Sequence, residues 1–224
     1  MKKVLLSLMV AATIGASAFT VVSPGSPEKK TAPKKSVAVA IQNYKVIPAE
    51  SKITWIGRKV AGEHNGNITL ASGTILLDRT ALRGGTFIMD MNSITCNDLQ
   101  GGSNKRLVDH LKSDDFFSVE KNPTAMFAIT NIAPRANAKS GTANYTITGD
   151  LTIKGISNQI SFPALVTLKK GVATAKANFK FDRTKWDVKF RSGNFFENLG
   201  DKAIQDDVEL NIELVAKQES VAKK

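Results

Sequence analysis

The stretch YTITGDLTIKG, Tyr145 to Gly155, decides the fold. Ile147, Gly149, Leu151 and Ile153 fall on one side of an extended chain, and Thr148, Asp150, Thr152 and Lys154 on the other. Successive side chains of a strand point to opposite faces, so this alternation predicts a strand with one dry and one wet face. The same period recurs in GTFIMDM, where Phe87, Met89 and Met91 oppose Ile88 and Asp90. It recurs again in AKANFKF, through Ala175, Ala177, Phe179 and Phe181, and in DVELNIELV, through Val208, Leu210, Ile212 and Leu214. One-sided burial is the habit of antiparallel sheets.

Eight or nine such segments begin near Tyr44, Lys52, Gly66, Gly85, Ala125, Asn144, Gln159, Val172 and Asp207. Gly73, Gly84-Gly85, Gly141 and Gly171 punctuate them, and Ile156–Gln159 reads as a hairpin connection. Many short antiparallel strands on one chain make a sandwich or a barrel. From Ser103 to Phe117 the period changes. Leu107, Val108, Leu111 and the phenylalanines take helical spacing behind Ser103 as a cap, which predicts a short helix across one end of the sheet. A barrel of about eight strands is wide enough to be filled by its own side chains or to hold one small ligand. Patterning alone leaves both open.

The ends have a different character. Lys2 and Lys3 precede an apolar run from Val4 to Phe19 with Ala16-Ser17-Ala18 at its end, the order of an export signal, expected over residues 1–18. The run of 16 residues is too short and too interrupted for a bilayer span, which needs about 20 apolar residues. Export places the mature protein in the periplasm or outside the cell. Residues 19–40, rich in proline and lysine, are expected to form a flexible leader, residues 41–216 the folded domain, and residues 217–224 a frayed tail.

The chain of 224 residues carries a formal net charge of +11, but the ends supply most of it. Residues 41–216 hold 22 basic and 18 acidic groups, a net of +4. That spread argues against a phosphate-binding footprint and hence against nucleic acid, while leaving room for passing contact with an anionic membrane surface.

Catalytic and metal patterns are missing. His64 and His110 stand in no ligand spacing, and no GxSxG serine or calcium loop occurs. His64, in GEHNG, reads as a hydrogen-bonding residue of a polar turn, and His110 as a helix-end residue ordering the stretch that follows it. Cys96 is the only cysteine and is expected to be a buried structural thiol. Asp114-Asp115 and Asp206-Asp207 read as caps and solvated turns, since adjacent residues point to different sides. Arg183, Trp186 and Arg191 form a basic-aromatic cluster in which an arginine is expected to stack on the indole, the alternative being contact with an anionic headgroup. No cofactor, metal or catalytic group is expected.

HLKSDDFFSVEKNPTAMF, His110 to Phe127, resembles the signature of the YceI-like family of exported lipid- and polyisoprenoid-binding proteins. His110, Leu111, Ser113, Asp115, Phe116 and Phe117 fill its first half, and Pro123, Ala125 and Phe127 its second. TGDLTIKGIS (Thr148–Ser157), DMNSI (Asp90–Ile94), the opening Tyr44–Trp55 and FDRTKWDV (Phe181–Val188) are similar to further family motifs in the same order. Leu107-Val108, Ser118 and Asp187 depart from it, standing where the family has Arg-Asp, aspartate and glycine.

The resemblance implies an all-β protein: an eight-stranded antiparallel barrel of lipocalin-like shape, with a short helix near residues 103–117 and an apolar channel for a long isoprenoid or other lipid. The inward faces then assign Phe87, Met89, Met91, Phe127, Ile129, Ile147, Leu151, Ile153, Phe179, Phe181 and Trp186 to the channel, with Phe116 and Phe117 as plugs at its end. The partner is an isoprenoid, polyprenyl or quinone-like, held without enzymatic turnover. A homodimer stands open. The rival reading is an exported envelope-stress or interaction module with a packed barrel and no ligand.

Overall fold

The computed structural model describes residues 41–219, so the expected export signal (1–18) and the whole expected leader (19–40) lie outside the described residues. Nine strands make one antiparallel sheet: β1 (Ile41–Val46), β2 (Lys52–Lys59), β3 (Gly62–Asp78), β4 (Ala81–Asp90), β5 (Thr124–Pro134), β6 (Tyr145–Ile153), β7 (Ile156–Lys169), β8 (Val172–Asp182) and β9 (Ile204–Gln218). Each strand from β2 to β9 pairs with the next, and β9 returns to β2, closing the sheet on itself. β1 and β2 share one position in the ring. β2 covers β3 from Gly62 to Ile68 and β9 from Ile204 to Glu213, while β1 covers β3 from Thr74 to Asp78 and β9 from Ala216 to Gln218. Nine strands therefore build the expected eight-stranded barrel, and closure leaves no long free edge.

The hairpins are set by left-handed residues. Lys154 and Gly155, both at positive φ, join β6 to β7 in two residues, and Lys170-Gly171 joins β7 to β8 in the same way. Two positive φ values in a row twist the hairpin as the flanking strands twist. Ile156–Gln159, expected as the connection, already lies in β7. Nor do Gly73, Gly84 and Gly85 punctuate gaps. They sit inside β3 and β4, where the wall passes close to its own side chains: a Cβ on Gly85 would lie 2.9 Å from the Thr74 carbonyl oxygen. A bulge after Leu70 resets the alternation in β3, so that Leu70 and Ile75 both face the core.

The helix α1 spans Gly101–Lys112, two residues earlier at its start than expected and five shorter at its end. Ser103 does not cap it. Gln100 holds that position, and Asn104 reaches back to the carbonyls of Cys96 and Leu99. Phe116 and Phe117 sit beyond the helix in a tight turn whose amides return to Ser113 and Leu111. At the other terminus β9 runs through Gln218, so Lys217 and Gln218, assigned to the frayed tail, pair with β1. Among the described residues, no helix is long and apolar enough to cross a membrane.

Two ends of the barrel follow from the register. At one lie the turns β3–β4 and β7–β8 together with β1, packed solid by Tyr44, Leu77, Ala173 and Ala216, each at most 2% exposed. At the other lie the β2–β3 and β6–β7 hairpins, α1 and the long connection from β8 to β9. That second end is covered by loops rather than by core.

Candidate ligand-binding cavity

The inner wall is apolar because each strand turns its even or odd residues inward. A cavity of about 250 Å³ runs inside the barrel, reached by residues from β2 to β9 and from α1. For scale, an engineered apolar cavity of about 150 Å³ accepts benzene. Inward residues of β8 and β9, among them Ala175, Ala177, Leu210 and Ile212, remain only half-buried, since what they face is open space.

Of the residues assigned to a channel from sequence, twelve line this cavity. Phe87, Met89 and Met91 come from β4 and the turn after it, Phe127 and Ile129 from β5, and Ile147, Leu151 and Ile153 from β6. Phe179 and Phe181 come from β8, and Phe116 and Phe117 from the turn after α1. Rings form a chain round the wall: Phe87 to Phe127 at 6.4 Å, Phe127 to Phe162 at 5.5 Å, and Phe162 stacked on Phe179 at 4.1 Å.

Trp186 does not line the cavity. It is wholly buried in the core, edge-on to Phe181 at 5.3 Å, with its Nε1–H donated to the Leu151 carbonyl at 2.8 Å. Nor does an arginine stack on it. Arg183 is buried and spends its donors on the carbonyls of Gln205, Val188 and Ile204 and on Asp206. Burial pushes its proton affinity down, and the charges of Asp206 and Asp182 work against that shift. The 3₁₀ turn Arg183–Trp186 ends on Asp187 in a left-handed conformation, the position where the family has glycine. Arg191 instead lies over Phe190, at 5.1 Å.

The charges around the phenylalanine pair all face outward. His110 Nε2 meets Asp115 at 2.8 Å, and Lys121 meets Asp114 at 2.8 Å. The His110 ring is wedged edge-on between Phe116 at 4.9 Å and Phe190 at 4.7 Å, which ties the turn after α1 to the β8–β9 connection. These contacts make a cap over one barrel end.

Three residues that the sequence did not assign to the channel also matter. Trp55 lines the cavity and donates Nε1–H to the Thr95 carbonyl at 3.1 Å. His64 is not in a turn but in β3, opposite Gly57, and it lines the cavity with Lys59 at the rim. The signal was available in HNGNITL: carrying the alternation of Ile68 and Leu70 back through Gly66 reaches His64. Asp98 fixes that ring through Nδ1 at 2.7 Å. Burial pushes the Asp98 carboxyl up, but hydrogen bonds from the Asn65 N–H, His64 and Cys96 outweigh it and hold the group down at about 2. Cys96 is buried, as expected of a structural thiol, with its Sγ 3.4 Å from Asp98.

The family of the YceI-like domain matches residues 44–216, most of the chain. The chain belongs to the YceI-like family. A UPF0312 protein of Photorhabdus laumondii is 30% identical over 106 residues, 46% of this chain and 50% of that one. A UPF0312 protein of Pseudomonas aeruginosa is 42% identical over 55 residues, 25% of this chain and 26% of its own. The YceI-like chain thus spans at most about half the length of the curated relatives it matches. Among solved structures, BcnA of Burkholderia cenocepacia superimposes with a TM-score of 0.60 at 22% identity, covering 77% of this chain and 99% of BcnA. A polyisoprenoid-binding domain from Saccharophagus degradans, implicated in plant cell wall breakdown, gives 0.58 at 12% identity, covering 79% and 98%. At these identities both likenesses concern the YceI-like barrel alone.

Proposed function

We propose that this YceI-like protein binds a long apolar isoprenoid-type lipid, polyprenyl or quinone-like, and carries or sequesters it without chemical turnover. The observation that carries the reading is the apolar cavity within a closed barrel. Each buried methylene contributes about 0.8 kcal/mol, so a prenyl chain gains affinity from length alone, with no base or metal. Met89 and Met91 suit such a tail, because an unbranched thioether adapts to whatever lies against it. The polyisoprenoid-binding relative from Saccharophagus degradans supports the ligand class through the shared barrel. The signal-like N-terminus supports a place in the periplasm or outside the cell, where an insoluble lipid needs shelter from water.

Native mass spectrometry of the purified protein, with extraction and identification of what it releases, is the direct test. Co-purified prenyl lipid, or uptake of added prenyl lipid at one per chain, is the expected result. A barrel that emerges empty and takes up none removes the proposal, leaving the interaction-module reading, which the open interior disfavours.

A further inference from the structure

We infer that the loop-covered end of the barrel is an anion site, built from His64 and Lys59, that selects a tail bearing a phosphate-class headgroup. This rests on the tail-binding reading above and adds to it a choice among headgroups. The register puts His64 on the inward face of β3, directly across from Gly57 on β2. Gly57 leaves the facing space open: a Cβ built there would meet only the Trp55 ring, at 3.9 Å. Two residues further along β2, Lys59 is exposed, lines the same cavity and pairs in register with Ile204.

Several charged groups at this end already hold one another. Arg58 is held by Glu63 and Glu209, each at 3.0 Å. Asp206 is held by Arg183, Ser192 and Asn194. Asp98 is held by His64, Asn65 and Cys96. Among the described residues, Lys59 Nζ and His64 Nε2 have no such partner. Asp98, ionised over the physiological range, takes the Nδ1 side of the ring and so directs Nε2 away from itself.

An apolar tube ending in a fixed imidazole and a free ammonium is shaped for an amphiphile whose one polar end is negative. A phosphate monoester offers its acceptor oxygens to Lys59 and, while it keeps one proton, a P–OH that donates to His64 Nε2, the ring nitrogen that Asp98 leaves bare. A neutral quinone or alcohol would leave the ammonium unanswered.

The test compares farnesyl monophosphate with farnesol, titrated into the full protein and followed by tryptophan fluorescence and calorimetry. The phosphate is expected to bind about tenfold tighter or more, as a charge-assisted contact should give. Lys59→Ala and His64→Gln are each expected to shrink that ratio towards one, and raised salt should shrink it in the wild type. Lysophosphatidic acid in the same assay tells whether an acyl tail is accepted as well, a result that supports the anion site and widens its tail class. Equal binding of phosphate and alcohol, or a preference that survives both substitutions, overturns the headgroup inference and leaves the tail reading standing. Failure of both ligands to bind overturns the two together.

Discussion

Trp186 donates its indole N–H to the Leu151 carbonyl at 2.8 Å from a position with no exposure at all. The contact ties the turn after β8 to the last residues of β6. Trp186→Phe removes the donor and leaves a void, which costs about 2–4 kcal/mol of stability. Because the ring does not reach the cavity, ligand affinity at a temperature where the variant is folded is expected to stay within a factor of two or so. Urea unfolding and the prenyl titration measure the two effects separately. A stable variant with lost binding would show that Trp186 acts on the ligand after all.

Gly66 lies where the segment after β4 crosses β3. A Cβ there would stand 1.7 Å from the Thr95 carbonyl oxygen, the same oxygen that accepts the Trp55 N–H. Backbone cannot swing aside as a side chain can, so Gly66→Ala is expected to lower stability by about 3 kcal/mol or more. Thermal unfolding within a degree or two of the wild type would contradict that placement.

Ala177 lines the cavity and pairs with Ile212 of β9. Ala177→Phe puts a ring into open space rather than into packed atoms. The expected outcome is a melting temperature equal to or above that of the wild type, with prenyl-lipid uptake reduced about tenfold or more. Uptake that persists with the phenylalanine in place would mean the lipid sits elsewhere.

Asp98 supplies a pH-dependent share of stability. Its folded value of about 2 lies below the ordinary 3.8, so its contribution is complete above pH 4 and is lost as pH falls towards 2. Asp98→Asn is therefore expected to lower stability by about 1–2 kcal/mol at neutral pH, after allowing for solvent screening. The gap to wild type should close as pH approaches 2. A gap that is the same at pH 6 and pH 2.5, by denaturant unfolding, would show that the carboxylate charge is not what the site uses.

Much of the wall was legible in advance because pleating is a local rule. Phe87, Phe127, Ile147 and Phe179 point inward for the same reason that their polar neighbours point out, and no distant contact is needed to know it. The errors fall where a local rule was overridden. Trp186 follows a strand that has already ended and sits in a 3₁₀ turn, where strand alternation no longer sets the direction of its side chain. The helix starts early because Asn104 binds two carbonyls of the preceding segment. The β6–β7 turn closes at Lys154-Gly155 because a lysine accepts a positive φ there, which composition does not announce.

Read as a string, the chain determines that it folds by alternating strands, which faces are greasy, and that one charged stretch with paired phenylalanines interrupts them. Whether those faces enclose a hollow or interlock, and which end of it opens beside His64 and Lys59, was decided only by closure of the ring. Alternation is a property of neighbouring residues, whereas the width of a barrel and the meeting of Gly57 with His64 depend on register between strands. Register is a distance across the fold, and no single strand carries it.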